Sequence, residues 1–169
     1  TDKKKMMKRT NSINRPKVEW MIDEYKRVYG KMPKKIVDVG AGAGHFVYAA
    51  RDLGLDCYGI EPNEPSVQFA RDMFNVSLIP EDFLTIPEIC KDADIITFWA
   101  VLEHLPNFMK FMEKTYGILS DKGEGMLMLE VPRWHSLDTK IQSTFNNRVN
   151  RHLFPLSHIQ IFSDSSIMN

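Results

Sequence analysis

Three glycines at alternate positions mark the part of this 169-residue chain best suited to chemistry, "VDVGAGAGHF" at 37–46. They are Gly40, Gly42 and Gly44, and they follow an apolar run that carries one acid, Asp38. A strand that turns through glycines into a helix brings backbone N–H groups and a helix N-terminus to one point. The spacing is G-x-G-x-G rather than the dinucleotide fingerprint G-x-G-x-x-G. By itself the loop is compatible with three interpretations: a site for a dinucleotide, a site for a nucleoside that carries a sulfonium, or a turn without a ligand.

Carboxylates at the ends of apolar runs favour the cationic ligand. Asp38 needs a partner if it is buried, and either a cationic ligand group or the loop's own N–H donors would provide one, whereas a pyrophosphate would be repelled. Glu61 in "GIEPN" suits either ligand, since it would accept from ribose hydroxyls in both. In "PEDF", Asp82 can accept from an exocyclic amine while the Phe83 N–H donates to a ring nitrogen, a pair that reads adenine.

Apolar periodicity predicts the elements that must position these residues. Helices are indicated at 16–29, 45–53, 64–74 and 108–119, and five short strands at "KIVDVG", "DCYGIEPN", "VSLIPEDF", the start of "ADIITFWAVLEHLP" and "GEGMLMLEVP". Alternating strands and helices imply right-handed crossovers and a mostly parallel, doubly wound sheet in a three-layer α/β/α fold. Ligands of such sheets bind at the carboxyl ends of the strands, so the glycine loop and the acids are expected at one edge.

Four motifs in order at these strand ends resemble class I S-adenosylmethionine-dependent methyltransferases, especially the small-molecule group. They are "DVGAGAG", "GIEPN", "PEDF" and "VLEHL", within residues 36–132, and "SHIQIFSDSSI" is similar to a late segment of many members. The resemblance implies a Rossmann-like fold with two further strands after the fifth. We therefore expect a single domain over 16–169 that is C-terminally incomplete. Its fifth strand would lie at an edge, where a second copy could pair to form a homodimer.

The resemblance also implies S-adenosylmethionine as cofactor and S-adenosylhomocysteine as product. The glycines would admit its methionine part, Glu61 its ribose, and Asp82 with Phe83 its adenine. Trp99 would either face the sulfonium, a cation–π contact of about 1 kcal/mol, or belong to the core. The residues assigned to the cofactor are Asp38, Gly40, Gly42, Gly44, Glu61, Pro62, Asp82, Phe83, Trp99 and Ala100.

The methyl acceptor sets a second requirement. A base is needed only where the acceptor loses a proton during attack, as a phenol or a sugar carbon does, and we predict O- or C-methylation of a small molecule rather than N-methylation. His104 is the first candidate base because imidazole titrates near neutrality, although it could instead bond a neighbouring loop. His158 is the second. Arginines at 133, 148 and 151 suit an acidic or nucleotide-linked acceptor, or are simply solvated.

Composition sets the remaining expectations. A formal net charge of zero argues against nucleic acid as a partner. No apolar run reaches the ~18 residues of a membrane span. Two cysteines without a pairing framework predict a reducing, cytoplasmic location, and no metal-site spacing is present. The lysine-rich residues 1–15 predict a basic, flexible arm. An NAD-type oxidoreductase and a non-catalytic S-adenosylmethionine-binding module stay open as alternatives.

Overall fold

The computed structural model describes residues 3–86, 88–132 and 162–163. A π-helical segment (Thr10–Asn14) joins the first two helices, and 3₁₀ turns span Phe83–Thr85, Glu88–Cys90 and Leu102–His104. The helices are α1 (Lys3–Arg9), α2 (Arg15–Tyr29), α3 (His45–Asp52), α4 (Glu64–Phe74) and α5 (Phe108–Lys122). The strands are β1 (Lys35–Val39), β2 (Asp56–Ile60), β3 (Ile95–Trp99) and β4 (Met126–Glu130).

Proline, glycine and a capping side chain mark where the helices begin and end. Pro16 occupies the first turn of α2, and Gly30 ends that helix at φ 68° with its N–H on the Lys26 carbonyl. The Asn63 side chain accepts from Ser66 N at 3.0 Å and so caps the start of α4. The predicted helices are confirmed. α5 runs slightly further than expected and ends at Lys122, where Gly123 follows at φ 75°.

The four strands form a parallel sheet in the order β2-β1-β3-β4, with Asp38 of β1 opposite Gly59 of β2 and Thr97 of β3. β4 occupies an outer position of the described sheet, as expected for the last predicted strand. The third predicted strand, "VSLIPEDF", is wrong, because it contributes only an isolated bridge between Ile79 and Ile60. The two hydrogen bonds of this bridge run from Ile79 N to the Gly59 carbonyl at 2.8 Å and from Glu61 N to the Ile79 carbonyl at 2.9 Å.

Alternate residues of the central strands face two separate cores. Ile36 and Ile95 lie in the core formed with α2, α3 and α4, whereas Val37 and Ile96 lie in the core beside α5. All four side chains are fully buried, as the pleat of a doubly covered sheet requires. The predicted three-layer, Rossmann-like α/β/α architecture is confirmed.

The lysine-rich N-terminus differs from the flexible arm that we expected. Residues 3–14 are helical, and Thr10 is fully buried. Burial of apolar side chains stabilises these helices. Met6 and Met7 pack against the core that α2 and α3 share, so one face of this basic segment is covered. Within the described ranges, none of the helices has both the length and the apolar character needed to cross a membrane.

Candidate functional site

The glycine loop turns sharply at the carboxyl end of β1. Gly40 N and Ala41 N both donate to the Ile60 carbonyl of β2, at 2.9 and 3.0 Å. Gly40 has φ 71°, and a Cβ on it would lie 2.6 Å from Val101 Cγ2. A side chain at position 40 would therefore be strained by its backbone and would collide with the segment that follows β3.

Glu61 closes this loop from the end of β2. Its Oε2 accepts from Gly42 N at 2.7 Å, and its Oε1 accepts from Asn63 N at 2.9 Å. The amide of the middle glycine is thus satisfied by a carboxylate, at the place where a dinucleotide site would present its amides to a pyrophosphate. This arrangement puts negative charge at the loop and makes it unsuited to a second anion.

Asp38 lies on β1 directly before the loop and is only 2% exposed. The Thr97 hydroxyl donates to its Oδ1 at 2.7 Å. Burial raises the pKa of this carboxyl from 3.8 to about 7, while the Thr97 hydrogen bond and Lys17 act in the lowering direction and Glu61 adds to the rise. A cationic group bound nearby would favour the ionised form of Asp38.

The loop that carries Asp82 and Phe83 is fixed by α5. Asp82 Oδ1 accepts from Leu84 N at 2.8 Å and caps the 3₁₀ turn. The Phe83 ring is buried and stacks on Phe111 of α5 at a centroid distance of 5.9 Å. Lys114 Nζ donates to the carbonyls of Phe83 and Ile86 and lies 4.9 Å from the centroid of the Phe83 ring. Sequence reasoning missed Lys114, because nothing local links it to a loop about thirty residues earlier.

A cleft of about 310 Å³ opens where these loops meet. Its walls include seven of the predicted site residues: Gly40, Glu61, Pro62, Asp82, Phe83, Ala100 and His104. Five apolar residues that the sequence did not single out complete the wall: Val39, Ile60, Val101, Leu105 and Phe111. Asp38, Gly42 and Gly44 are not among the residues that line the cleft. His158 falls outside the described residues, as do the three late arginines.

Trp99 lies away from the cleft wall, on the side of the sheet that α2 covers. Its ring packs on Phe46 at 5.2 Å, and Lys17 Nζ lies 4.4 Å from the ring centroid. Lys17 also pairs with Glu130 at 2.6 Å. The cation observed over this ring is therefore a lysine ammonium. A contact between Trp99 and a cofactor stays a prediction.

The segment after β3 carries two unusual features beside the cleft. Ala100 has φ 55°, a left-handed conformation that is strained for alanine, and it is held there by its N–H on the Glu130 carbonyl at 2.9 Å. Glu103 is 1% exposed, and its Oε2 has no hydrogen-bond partner among the described residues. Strain and a buried unsatisfied carboxylate both cost stability, and groups of this kind concentrate at functional sites. In the parts of the chain that the structure describes, no group of three or more potential metal ligands is present.

Comparison with known proteins places this geometry in a family. Residues 14–169 match a family model described as a methyltransferase domain. Over 112 residues, or 63% of the chain, the sequence is 30% identical to ubiquinone biosynthesis O-methyltransferase from Stutzerimonas stutzeri, of which this stretch covers 47%.

Two solved structures are similar in fold. The plantazolicin methyltransferase BpumL in complex with SAH superposes with a TM-score of 0.73 at 19% identity, over 98% of this chain and 66% of its own. A SAM-dependent methyltransferase from Thermotoga maritima, described as a possible histamine N-methyltransferase, gives a TM-score of 0.60 at 20% identity, over 90% and 68%.

The chain spans about half the length of the curated relatives it matches. The TM-scores of 0.73 and 0.60 show that the two solved structures share its fold. The family model, in contrast, extends from the residue before α2 to the last residue given and so takes in the glycine loop, Glu61, Asp82 and His104 together. On that match, the chain belongs to the methyltransferase-domain family.

Proposed function

We propose that this chain binds S-adenosylmethionine and transfers its methyl group to an oxygen or carbon of a small molecule. The observation that carries the proposal is the acidic glycine loop, in which Glu61 binds the Gly42 amide and Asp38 lies buried just ahead of Gly40. Carboxylates at this point suit a cofactor with ammonium and sulfonium groups and oppose a pyrophosphate. Family membership supports the same choice.

The residues present fit this cofactor. Glu61 would accept from the ribose hydroxyls, Asp82 and the Phe83 N–H would hold adenine, and the main chain of Gly40, which lies in the cleft wall, would admit the methionine part. When bound, the cofactor supplies an electrophilic methyl carbon. The chain's own contribution is to fix orientation and exclude water, and alignment of this kind can be worth ~7–11 kcal/mol.

The acceptor is proposed to meet His104. This side chain is exposed and lies in the cleft wall, so it can accept a proton from a hydroxyl or carbon acid that binds there. The similarity to an enzyme named as an O-methyltransferase supports oxygen as the acceptor atom.

Titration tests the cofactor assignment directly. We expect S-adenosylhomocysteine to bind the purified chain and NADH not to bind. Glu61→Gln should weaken S-adenosylhomocysteine binding about tenfold, because an amide cannot accept from Gly42 N, Asn63 N and a ribose together. Isothermal calorimetry measures both effects, with Glu64→Gln as an exposed control a short distance along the chain.

Binding of NADH without S-adenosylhomocysteine would overturn the proposal. If S-adenosylhomocysteine binds, incubation with S-adenosylmethionine and a panel of phenols, sugars and amines, read by mass spectrometry, tests the acceptor. Methylation of amines alone would contradict the choice of oxygen or carbon.

Lys114 offers a separate test of the loop at 82–86. Lys114→Met keeps much of the length of the side chain but removes the charged donor from the Phe83 and Ile86 carbonyls. We expect S-adenosylhomocysteine to bind about fivefold more weakly, since a loosened loop must be ordered again on binding. Lys110→Met, an exposed lysine one turn earlier on α5, is the matched control. Equal affinity in both variants would show that Lys114 does not order the site.

A further inference from the structure

Thr10 connects the N-terminal helices to the residue that follows the glycine loop. Its side chain is fully buried, and Oγ1 lies 2.7 Å from His45 Nδ1 and 3.1 Å from the Met6 carbonyl oxygen. Thr10 opens the π-helical segment, whose wider turn is closed by Arg15 N on the Thr10 carbonyl. Single π turns inside helices recur at functional sites, and this one brings a hydroxyl to the cofactor edge of the sheet.

Thr10 limits the rotation of the His45 ring. The Thr10 hydroxyl either donates its one proton to the Met6 carbonyl and accepts from Nδ1–H, or donates it to an unprotonated Nδ1. In both arrangements a hydrogen bond joins Oγ1 and Nδ1. Burial first, and Arg9 second, lower the pKa of His45. The ring also contacts Phe74 of α4 at 4.8 Å, so it is held between two elements.

The glycine loop depends on anchors at its two ends, because glycines have no side chains with which to hold a conformation. At the first end, Gly40 N and Ala41 N bind the Ile60 carbonyl. At the second end, Gly44 at φ 75° directly precedes His45, the first residue of α3. A contact that restrains the His45 side chain therefore also restrains the backbone of Gly44 and the first turn of α3.

We propose that Thr10 is a positioning residue for the cofactor, holding the glycine loop through His45 in the conformation that receives S-adenosylmethionine. The inference rests on the proposed function and deepens it. It makes the lysine-rich N-terminal helices part of the cofactor site, although their described residues do not line the cleft wall.

Thr10→Val tests the inference, since valine matches threonine in shape but removes the hydroxyl. We expect S-adenosylhomocysteine to bind about five- to tenfold more weakly, with Thr10→Ser restoring affinity to within about twofold. Ser12→Ala is the control, because Ser12 lies in the same π-helical segment and its exposed hydroxyl bonds the Arg9 carbonyl. Calorimetry gives the affinities. Nitrogen NMR of the His45 ring gives a readout that does not depend on activity: the Nδ1 chemical shift of the native protein is expected to persist in Thr10→Ser and to change in Thr10→Val.

Several outcomes would overturn the inference. One is native affinity in Thr10→Val, and another is a His45 Nδ1 chemical shift that Thr10→Val leaves unchanged. If Thr10→Val does not fold, His45→Phe removes the same hydrogen bond while retaining an aromatic ring against Phe74, and native affinity in that variant has the same meaning. Failure of the native chain itself to bind S-adenosylhomocysteine would refute the proposed function instead.

Discussion

Gly40→Ala is expected to weaken S-adenosylhomocysteine binding by at least about 100-fold. Alanine at φ 71° is strained by roughly 1–2 kcal/mol, and its Cβ would lie 2.6 and 3.0 Å from the two methyl groups of Val101. Relief of this clash must move either the loop or Val101, and both border the cleft. The loss should be measured by calorimetry, with thermal unfolding recorded to show that the variant is folded.

Two further variants separate the causes of this loss. Gly42→Ala has a similar backbone, φ 52°, but no atom of the described residues lies within 4 Å of its new Cβ, so only the conformational penalty applies. A loss of about tenfold is expected there. Adding Val101→Ala to Gly40→Ala should recover part of the affinity by removing the colliding methyl groups. A Gly40→Ala protein that binds within about threefold of the native chain would show that the main chain at position 40 does not approach the cofactor.

The free energy of unfolding should fall as pH rises from about 5 to 8, and Asp38→Asn should remove most of that fall. The folded protein raises the pKa of Asp38 from 3.8 to about 7, chiefly through burial. A carboxyl with a raised pKa favours the folded state while protonated, so its contribution is complete below the unfolded value and is lost as pH rises through the folded one. The full difference corresponds to about 4 kcal/mol at roughly 1.4 kcal/mol for each pH unit, of which about 2–3 kcal/mol is lost between about pH 5 and 8.

Denaturant unfolding across this pH range measures the effect. The carbonyl oxygen of the amide that replaces the Asp38 carboxyl can still accept from the Thr97 hydroxyl, so the substitution removes the charge and keeps that bond. Asp23→Asn, at an exposed position on α2, is the control and should leave the pH slope unchanged. The lowered pKa of His45 adds an opposite slope that native protein and Asp38→Asn share, so an Asp38→Asn variant with the native pH slope would contradict the argument.

The free energy of unfolding should be measured only above about pH 5, because protonation of Asp94 also changes it at lower pH. Burial acts to raise the pKa of Asp94, but hydrogen bonds from Lys122 and from the amides of Lys35 and Lys34 outweigh it and lower the pKa. Its stabilisation is present at neutral pH and is lost in acid, the opposite direction to Asp38. The Tyr25 hydroxyl of α2 donates to the Asp94 carboxylate at 3.1 Å, so α2 is hydrogen-bonded to the same side chain.

The approach of Gly40, Glu61 and Asp82 to one cleft followed from strand polarity. Parallel strands present their carboxyl ends at the same edge, so motifs that each follow a strand must meet there, however far apart they lie in the chain. The third predicted strand did not need to form for this to hold. One bridge between Ile79 and Ile60 is enough to bring Asp82 to the edge.

Apolar periodicity and glycine spacing are local properties of the chain, and they were enough to predict the helices, the doubly wound sheet and the edge at which the acids gather. They could not predict that Thr10 contacts His45, that Lys114 holds the Phe83 loop or that Lys17 covers Trp99. Each of these contacts joins residues far apart in the chain through a single polar or charged group. Their formation depends on how helices pack onto the sheet, and no periodicity along the chain records that packing.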